Sequence, residues 1–162
     1  MKPSAGRQLK RALADKVGEY TGTDDDEGRA LSLTPLEQAR RIAAIAAEKL
    51  AEEVVVLDMR SVCVYTDFFV ICSGRNPRQV KAISDEVHGQ MKRKRLFPRA
   101  VDGQTEAHWI VADYFDVVLH VFTPETRAFY KLEDLWRDVP QIALAFSAGD
   151  SSRTAEPSSG AA

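Results

Sequence analysis

A chain of 162 residues, 44% hydrophobic and 28% charged, can bury one substantial core and has the composition of an ordinary globular protein. Its formal charge of −2 at pH 7 argues against a general nucleic-acid binder, which needs a basic excess to neutralise phosphates, so little direct nucleic-acid binding is expected. No apolar run approaches the roughly 20 residues that span a bilayer, and no membrane role is expected.

The N-terminal stretch MKPSAGRQLKRALADKV lacks the continuous apolar segment of a signal peptide. Inside it, Leu9, Leu13 and Val17 have the spacing of a short helix. The TGTDDDEG run that follows is acidic and without apolar period, which reads as a solvated linker. Residues 1–33 are therefore expected to be a largely flexible arm and residues 34–146 the folded domain. The small, polar residues 147–162 read as a disordered tail.

Within the domain, three helix starts share one grammar. TPLEQARRIAAIAAEKL opens with Thr34 as N-cap, Pro35 at the first helical position and Glu37 closing a capping box. Leu36, Ala39, Ala43, Ala46 and Leu50 repeat along it at helical spacing. NPRQVKAISDEVHGQMKRKR starts at Asn76 and Pro77, aligns Val80, Ile83, Val87 and Met91, and ends on cations from Lys92 to Arg95 that suit the negative helix pole. TPETRAFYKLEDLWRDVP starts at Thr123 and Pro124, with Phe129, Leu132, Leu135 and Trp136 as its apolar stripe.

Between the helices lie strand signals. EVVVLDM is apolar on both faces, as a covered strand should be, and TDFFVICSG is another such run ending in a Ser-Gly turn. LFPRAVDG reads as a short edge strand, because Pro98 forfeits a ladder bond. The order α-β-β-α-β-β-β-α predicts an α/β (α+β) fold: a single mixed sheet of about five strands with helices packed on it.

The hairpin WIVADYFDVVLHVF holds the candidate functional residues. A two-residue turn at Tyr114 and Phe115 would set Asp113 opposite Asp116, Val111 opposite Val118 and Trp109 opposite His120 on one face. Ile110, Ala112, Val117 and Leu119 on the other face must then be core. Like charges directly opposed are destabilising by roughly 0.2–1 kcal/mol, a cost that a Lys or Arg from a partner would reverse. Each Asp could equally cap the turn, His120 could be a satisfied sheet histidine, and Trp109 could be either an interface anchor or packing under a helix.

Catalysis has little support in the sequence. The CSGRNPRQ loop could favour an anion at a helix N-terminus, but no strand-borne Asp-x-Asp pair follows it. Asp85 and Glu86 are adjacent on a helix and cannot point the same way. No Gly-rich phosphate motif, HExxH, GxSxG or CxxC occurs. Cys63 and Cys72 stand nine residues apart without a neighbouring Cys or His pair, so they read as reduced thiols of a cytosolic protein and not as a zinc set. Neither cofactor nor metal is expected.

VVVLDMRSVCVYTDFFVICSGRNPRQVKAISDEV and HWIVADYFDVVLHVFTPETRAFYKLEDLW resemble the ribosomal silencing factor (Iojap-related) family over residues 34–137. The resemblance implies a nucleotidyltransferase-like fold without catalytic carboxylates, and hence no enzyme. It implies a translational repressor that binds the large ribosomal subunit through ribosomal protein L14 and sterically blocks joining of the small subunit. Carried onto this chain, the partner-facing positions are Trp109, Val111, Asp113, Tyr114 and Asp116, with Arg127 and Tyr130 matching the family's following helix. Relatives usually have glycine where Phe115 stands; glycine suits a turn of positive φ, and Phe115 is either in a wider turn or an exposed contact. Two other readings remain open: a nucleotidyltransferase-like enzyme using the CSGRNPRQ loop, and a homodimer, off the ribosome, joined through the same sheet face.

Overall fold

The computed structural model describes residues 33–144. The N-terminal helix through Leu9, Leu13 and Val17, and the tail beyond 147, lie outside the described residues. The elements are α1 (Pro35–Glu48), β1 (Glu52–Asp58), β2 (Phe68–Ser73), α2 (Pro77–Arg93), β3 (Ala100–Asp102), β4 (Trp109–Asp113), β5 (Val117–Phe122), α3 (Pro124–Tyr130) and α4 (Leu132–Leu135). They form one five-stranded mixed sheet in the order β1-β2-β5-β4-β3, with only the central β2–β5 pair parallel.

The first two helix starts form as their sequences dictate. Thr34 Oγ1 accepts from the Glu37 amide (3.2 Å) while the Glu37 carboxylate accepts from the Thr34 amide (2.9 Å), the reciprocal bonds of a capping box. Asn76 Oδ1 caps α2 through the Gln79 amide at 2.9 Å. Val80, Ile83, Val87 and Met91 are fully buried, together with Ala39, Ile42, Ala43 and Ala46 of α1, against the sheet face of Val70, Leu119 and Val121. Leu50 departs from its predicted stripe. α1 stops at Glu48, Leu50 turns left-handed (φ 63) so that the Ala51 amide can reach the Ala46 carbonyl, and its side chain stays 71% exposed.

The third predicted helix divides. Lys131 adopts φ 48, ending α3 at Tyr130 and starting the single turn α4, so no continuous stripe exists; Leu132 is buried while Phe129 and Leu135 are exposed. The break folds α4 and the following chain over the second sheet face, where Leu132 and Val139 join Leu57, Phe69, Ile71, Val118 and Phe122. Both faces of the sheet are therefore covered, which explains why β2 and β5 are apolar at nearly every position and buried at all of them. β1 is an edge strand, and residues 140–142 shield its edge: the Asp58 amide reaches the Pro140 carbonyl and the Ile142 amide the Val56 carbonyl. β3, just after Pro98, is the opposite edge, as expected.

The β4–β5 hairpin closes with a different register. Trp109 faces Phe122, Val111 faces His120 and Asp113 faces Val118. Tyr114 pairs with Val117 through a 2.8 Å bond, leaving Phe115 and Asp116 as the turn. The Asp113–Asp116, Val111–Val118 and Trp109–His120 pairings are thus corrected by two residues. A shift of two preserves which side chains share a face, so Ile110, Ala112, Val117 and Leu119 are core as predicted. Two bonds hold the turn: the Asp67 and Phe68 amides both reach the Asp116 carbonyl, at 2.9 and 3.0 Å.

Candidate docking surface

On the β4 strand, odd-numbered side chains point away from α1 and α2 and remain half-buried at Trp109, Val111 and Asp113. The neighbouring β5 residues, Val118, His120 and Phe122, are buried beneath α3 and α4. The accessible part of this face is thus a strip along β4, continued by Tyr130 of α3 and by the turn residues Phe115 and Asp116.

Trp109 is fixed from several sides. Its ring stacks on Phe122 at 4.9 Å and leans on Tyr130 at 4.7 Å, while its indole N–H donates to His120 Nδ1 at 3.2 Å. Trp109 packs under a helix, as one of its two sequence readings had it, and remains half-buried. His120 is fully buried, and burial pushes its pKa down to about 3, so it is neutral and accepts from Trp109 through the unprotonated Nδ1. Its Nε2 has no hydrogen-bond partner among the described residues, and its ring meets that of Phe69 in a T-shaped contact, 4.8 Å between centroids.

This burial has a pH consequence. Between pH 3 and 6.5 the unfolded chain protonates His120 while the folded chain does not, so stability falls as pH drops through that window and is complete above it. Lowering pH from about 7 to about 5 should cost the fold about 1–2 kcal/mol through this residue. Urea unfolding of the wild type and of His120→Phe at both pH values checks it: the variant should lose that part of the dependence.

Asp113 is already engaged within the chain. Its Oδ2 accepts from Arg99 Nη2 (2.7 Å) and Nε (3.2 Å), and its Oδ1 caps the turn through the Phe115 amide (2.8 Å). The turn-capping alternative describes Asp113, and the cation predicted for a partner comes in part from β3's own approach. Arg99 was visible in FPRAVD, but only the antiparallel β3–β4 ladder reveals its target. Its guanidinium also lies over the Phe115 ring at 5.0 Å. Phe115 itself sits at φ 72, the left-handed conformation that glycine adopts without strain, and is 38% exposed.

Two positions on the expected contact list lie underneath the surface. Tyr114 points to the helical face, 3% exposed, and its hydroxyl is pushed up to about 12 by burial. It supports the core and presents nothing outward. Arg127 is 7% exposed and fully engaged, donating to Ser73 Oγ (2.9 Å), the Glu53 carbonyl (2.8 Å) and Glu133 Oε1 (2.6 Å). It is the bolt between α3, the end of β2 and the start of β1, at the floor of a groove of about 400 Å³ also lined by Glu52, Lys131 and Asp134. Sequence inspection missed this internal role because its partners are 54 and 74 residues away in the chain. Cys72 is buried and its thiol pushed up to about 12, which leaves it inert.

Among the described residues, no group of three or more His, Cys, Asp or Glu could hold a metal ion, and no helix is long and apolar enough to cross a membrane. The fold and surface define a class: a mixed α/β domain, sheet covered on both faces, presenting an aromatic strip with acidic neighbours from one strand. The family model described as "Ribosomal silencing factor during starvation" matches residues 32–162, further in both directions than the resemblance over 34–137. The chain belongs to the ribosomal silencing factor family. It is 39% identical over 107 residues to ribosomal silencing factor RsfS of Bacillus subtilis, covering 65% of this chain and 91% of that protein. It is 32% identical to the chloroplastic Iojap protein of Zea mays, across 75% of this chain and 51% of that one. A crystal structure of a Bacillus halodurans protein superimposes with a TM-score of 0.58 at 36% identity, covering 64% of this chain and 95% of its own. A Chromobacterium violaceum structure at 23% identity shares the fold, with a TM-score of 0.64 over 70% of this chain and 93% of its own.

Proposed function

We propose that the chain represses translation in the cytoplasm by docking on the large ribosomal subunit through ribosomal protein L14, its bulk keeping the small subunit from joining. Family membership supports a role in ribosome silencing. The observation that carries the docking face is Trp109. A large aromatic, half-exposed and held in one orientation by His120, Phe122 and Tyr130, binds with little ordering cost and is the side chain most often found as an interface anchor. Val111 extends the apolar strip, Phe115 and Asp116 form its end, and Asp113 with Arg99 contributes a neutralised polar edge. Tyr130 is a contact of this surface, while Tyr114 and Arg127 act from beneath it. The mechanism is occlusion and requires no chemistry. A homodimer formed off the ribosome would use the same strip and compete with docking.

Co-sedimentation with purified large subunits tests this. Trp109→Ala and Val111→Lys should each weaken binding by about tenfold or more. Arg41→Ala, exposed on the helical layer, should leave it unchanged. Binding should also decline modestly with added salt, since the Asp116 carboxylate borders the strip. Wild-type binding by both folded variants would remove the strip from the interface.

A further inference from the structure

The end of the sheet that bears the Phe115 turn also carries the strongest local charge in the described chain. α2 closes on Lys92 and Arg93, Lys94 and Arg95 follow, and the stretch from 92 to 101 contains no acidic residue, while Arg99 within it is paired with Asp113. The side chains of Lys92 through Arg95 are exposed, and none forms an ion pair among the described residues. The helix end is rigidly terminated: Arg95 takes φ 58 and the Leu96 amide returns to the Met91 carbonyl at 3.0 Å. Beside these cations stand two accessible rings, Phe97 at 53% and Phe115 at 38% exposure, the latter with the Arg99 guanidinium over its face.

Cations at a helix C-terminus do complement the dipole, but that effect fades within the last turn and asks for no exposed ring. Arg95 lies beyond the helix, and Phe97 stays exposed whereas Phe68, Phe69 and Phe122 of the strands are buried. Interleaved cations and aromatic faces fit a polyanion whose bases can stack, rather than a polyanion of charge alone. The overall charge of −2 does not oppose this, because screening at about 8 Å confines the field to the local patch. Of the carboxylates at this end, Asp113 is neutralised by Arg99.

We propose that Lys92, Arg93, Lys94 and Arg95, with Phe97, form an RNA-contact site: the cations bind phosphates and the ring stacks on an unpaired base. The site adjoins the Phe115 end of the β4 strip and shares no residue with it. It deepens the ribosome-docking reading by adding an RNA contact to a protein contact, yet its test does not depend on that reading.

The test uses the full chain and a labelled oligouridine of about 12 nucleotides, followed by fluorescence anisotropy. Four phosphate contacts predict that affinity falls about 50-fold between about 50 and 200 mM salt. The combined change Lys92→Gln, Arg93→Gln, Lys94→Gln and Arg95→Gln keeps good helix formers and should abolish both the binding and its salt slope. Phe97→Ala should weaken binding about tenfold at fixed salt. Trp109→Ala should bind the RNA as the wild type does, so loss of subunit docking and loss of RNA contact read out separately. No RNA binding at low salt, an unchanged slope in the fourfold variant, or equal competition by polyglutamate or anionic lipid vesicles would each overturn the proposal.

Discussion

Replacing Arg127 with alanine should destabilise the domain by about 3 kcal/mol, read as a lower urea midpoint with an unchanged slope. The guanidinium is almost wholly buried and donates to three groups on separate elements: Ser73 at the end of β2, the Glu53 carbonyl in β1 and Glu133 in α4. Glu53 adopts φ 49 where β1 is irregular, and the bond to its carbonyl holds that kink in place. Deleting the side chain strands the buried Ser73 hydroxyl and leaves a void where a large, nearly buried side chain packed, which costs more than the bond to Ser73 was worth. Glu133 is a third exposed, so its share is screened and the loss stays near the lower end for a broken buried pair. Arg127→Lys should recover only part of the loss, because one ammonium cannot span the fork. Docking should suffer as well, since Tyr130, which backs Trp109, belongs to the same short helix. A loss under about 1 kcal/mol would refute the bolt.

Where residues interact with near neighbours in the chain, the sequence was legible. The Thr34–Glu37 box and the Asn76 cap both depend on contacts three residues apart, and both form. Alternation along β4 placed the core face correctly even though the register was wrong, because a slip of two leaves every side chain on its own face. Left-handed residues were the weak point, flagged in the sequence only at Phe115. Leu50, Phe115 and Lys131 all take positive φ without being glycine, and they ended α1, moved the hairpin turn and split the last helix. The conformation is imposed at Phe115 by strand pairing on both sides and at Lys131 by the docking of α4, neither of which a local propensity encodes. The candidate site was legible to the same extent. Trp109, Val111 and Asp116 are half-buried and Phe115 is exposed, but Asp113 had a partner in Arg99, Tyr114 turned inward and Arg127 was committed below. Each of those outcomes hangs on a contact that closes only when distant strands meet.

Gly103→Ala should open the β3–β4 hairpin while sparing the helical layer. Gly103 sits at φ 85, and a Cβ there would collide with the Trp109 carbonyl oxygen, 3.1 Å from its carbon and 3.5 Å from Ile110 Cα. Two costs therefore add: a left-handed conformation for a residue with a side chain, about 1–2 kcal/mol, and displacement of backbone that cannot rotate away. The total should reach about 3 kcal/mol locally. β3 is a three-residue edge strand, so the strain is relieved most cheaply by detaching it from β4, not by unfolding the sheet. Amide exchange at Ala100 to Asp102 should accelerate about 100-fold while Val80 to Met91 in α2 stays protected. Detachment also withdraws Arg99 from Asp113 and shifts the backbone of Trp109, so subunit docking should weaken even though no docking side chain has changed. Uniform acceleration across α2 would mean that the hairpin and the helical layer open as one cooperative unit, and the β4 strip would then owe its geometry to the whole domain rather than to the glycine beneath it.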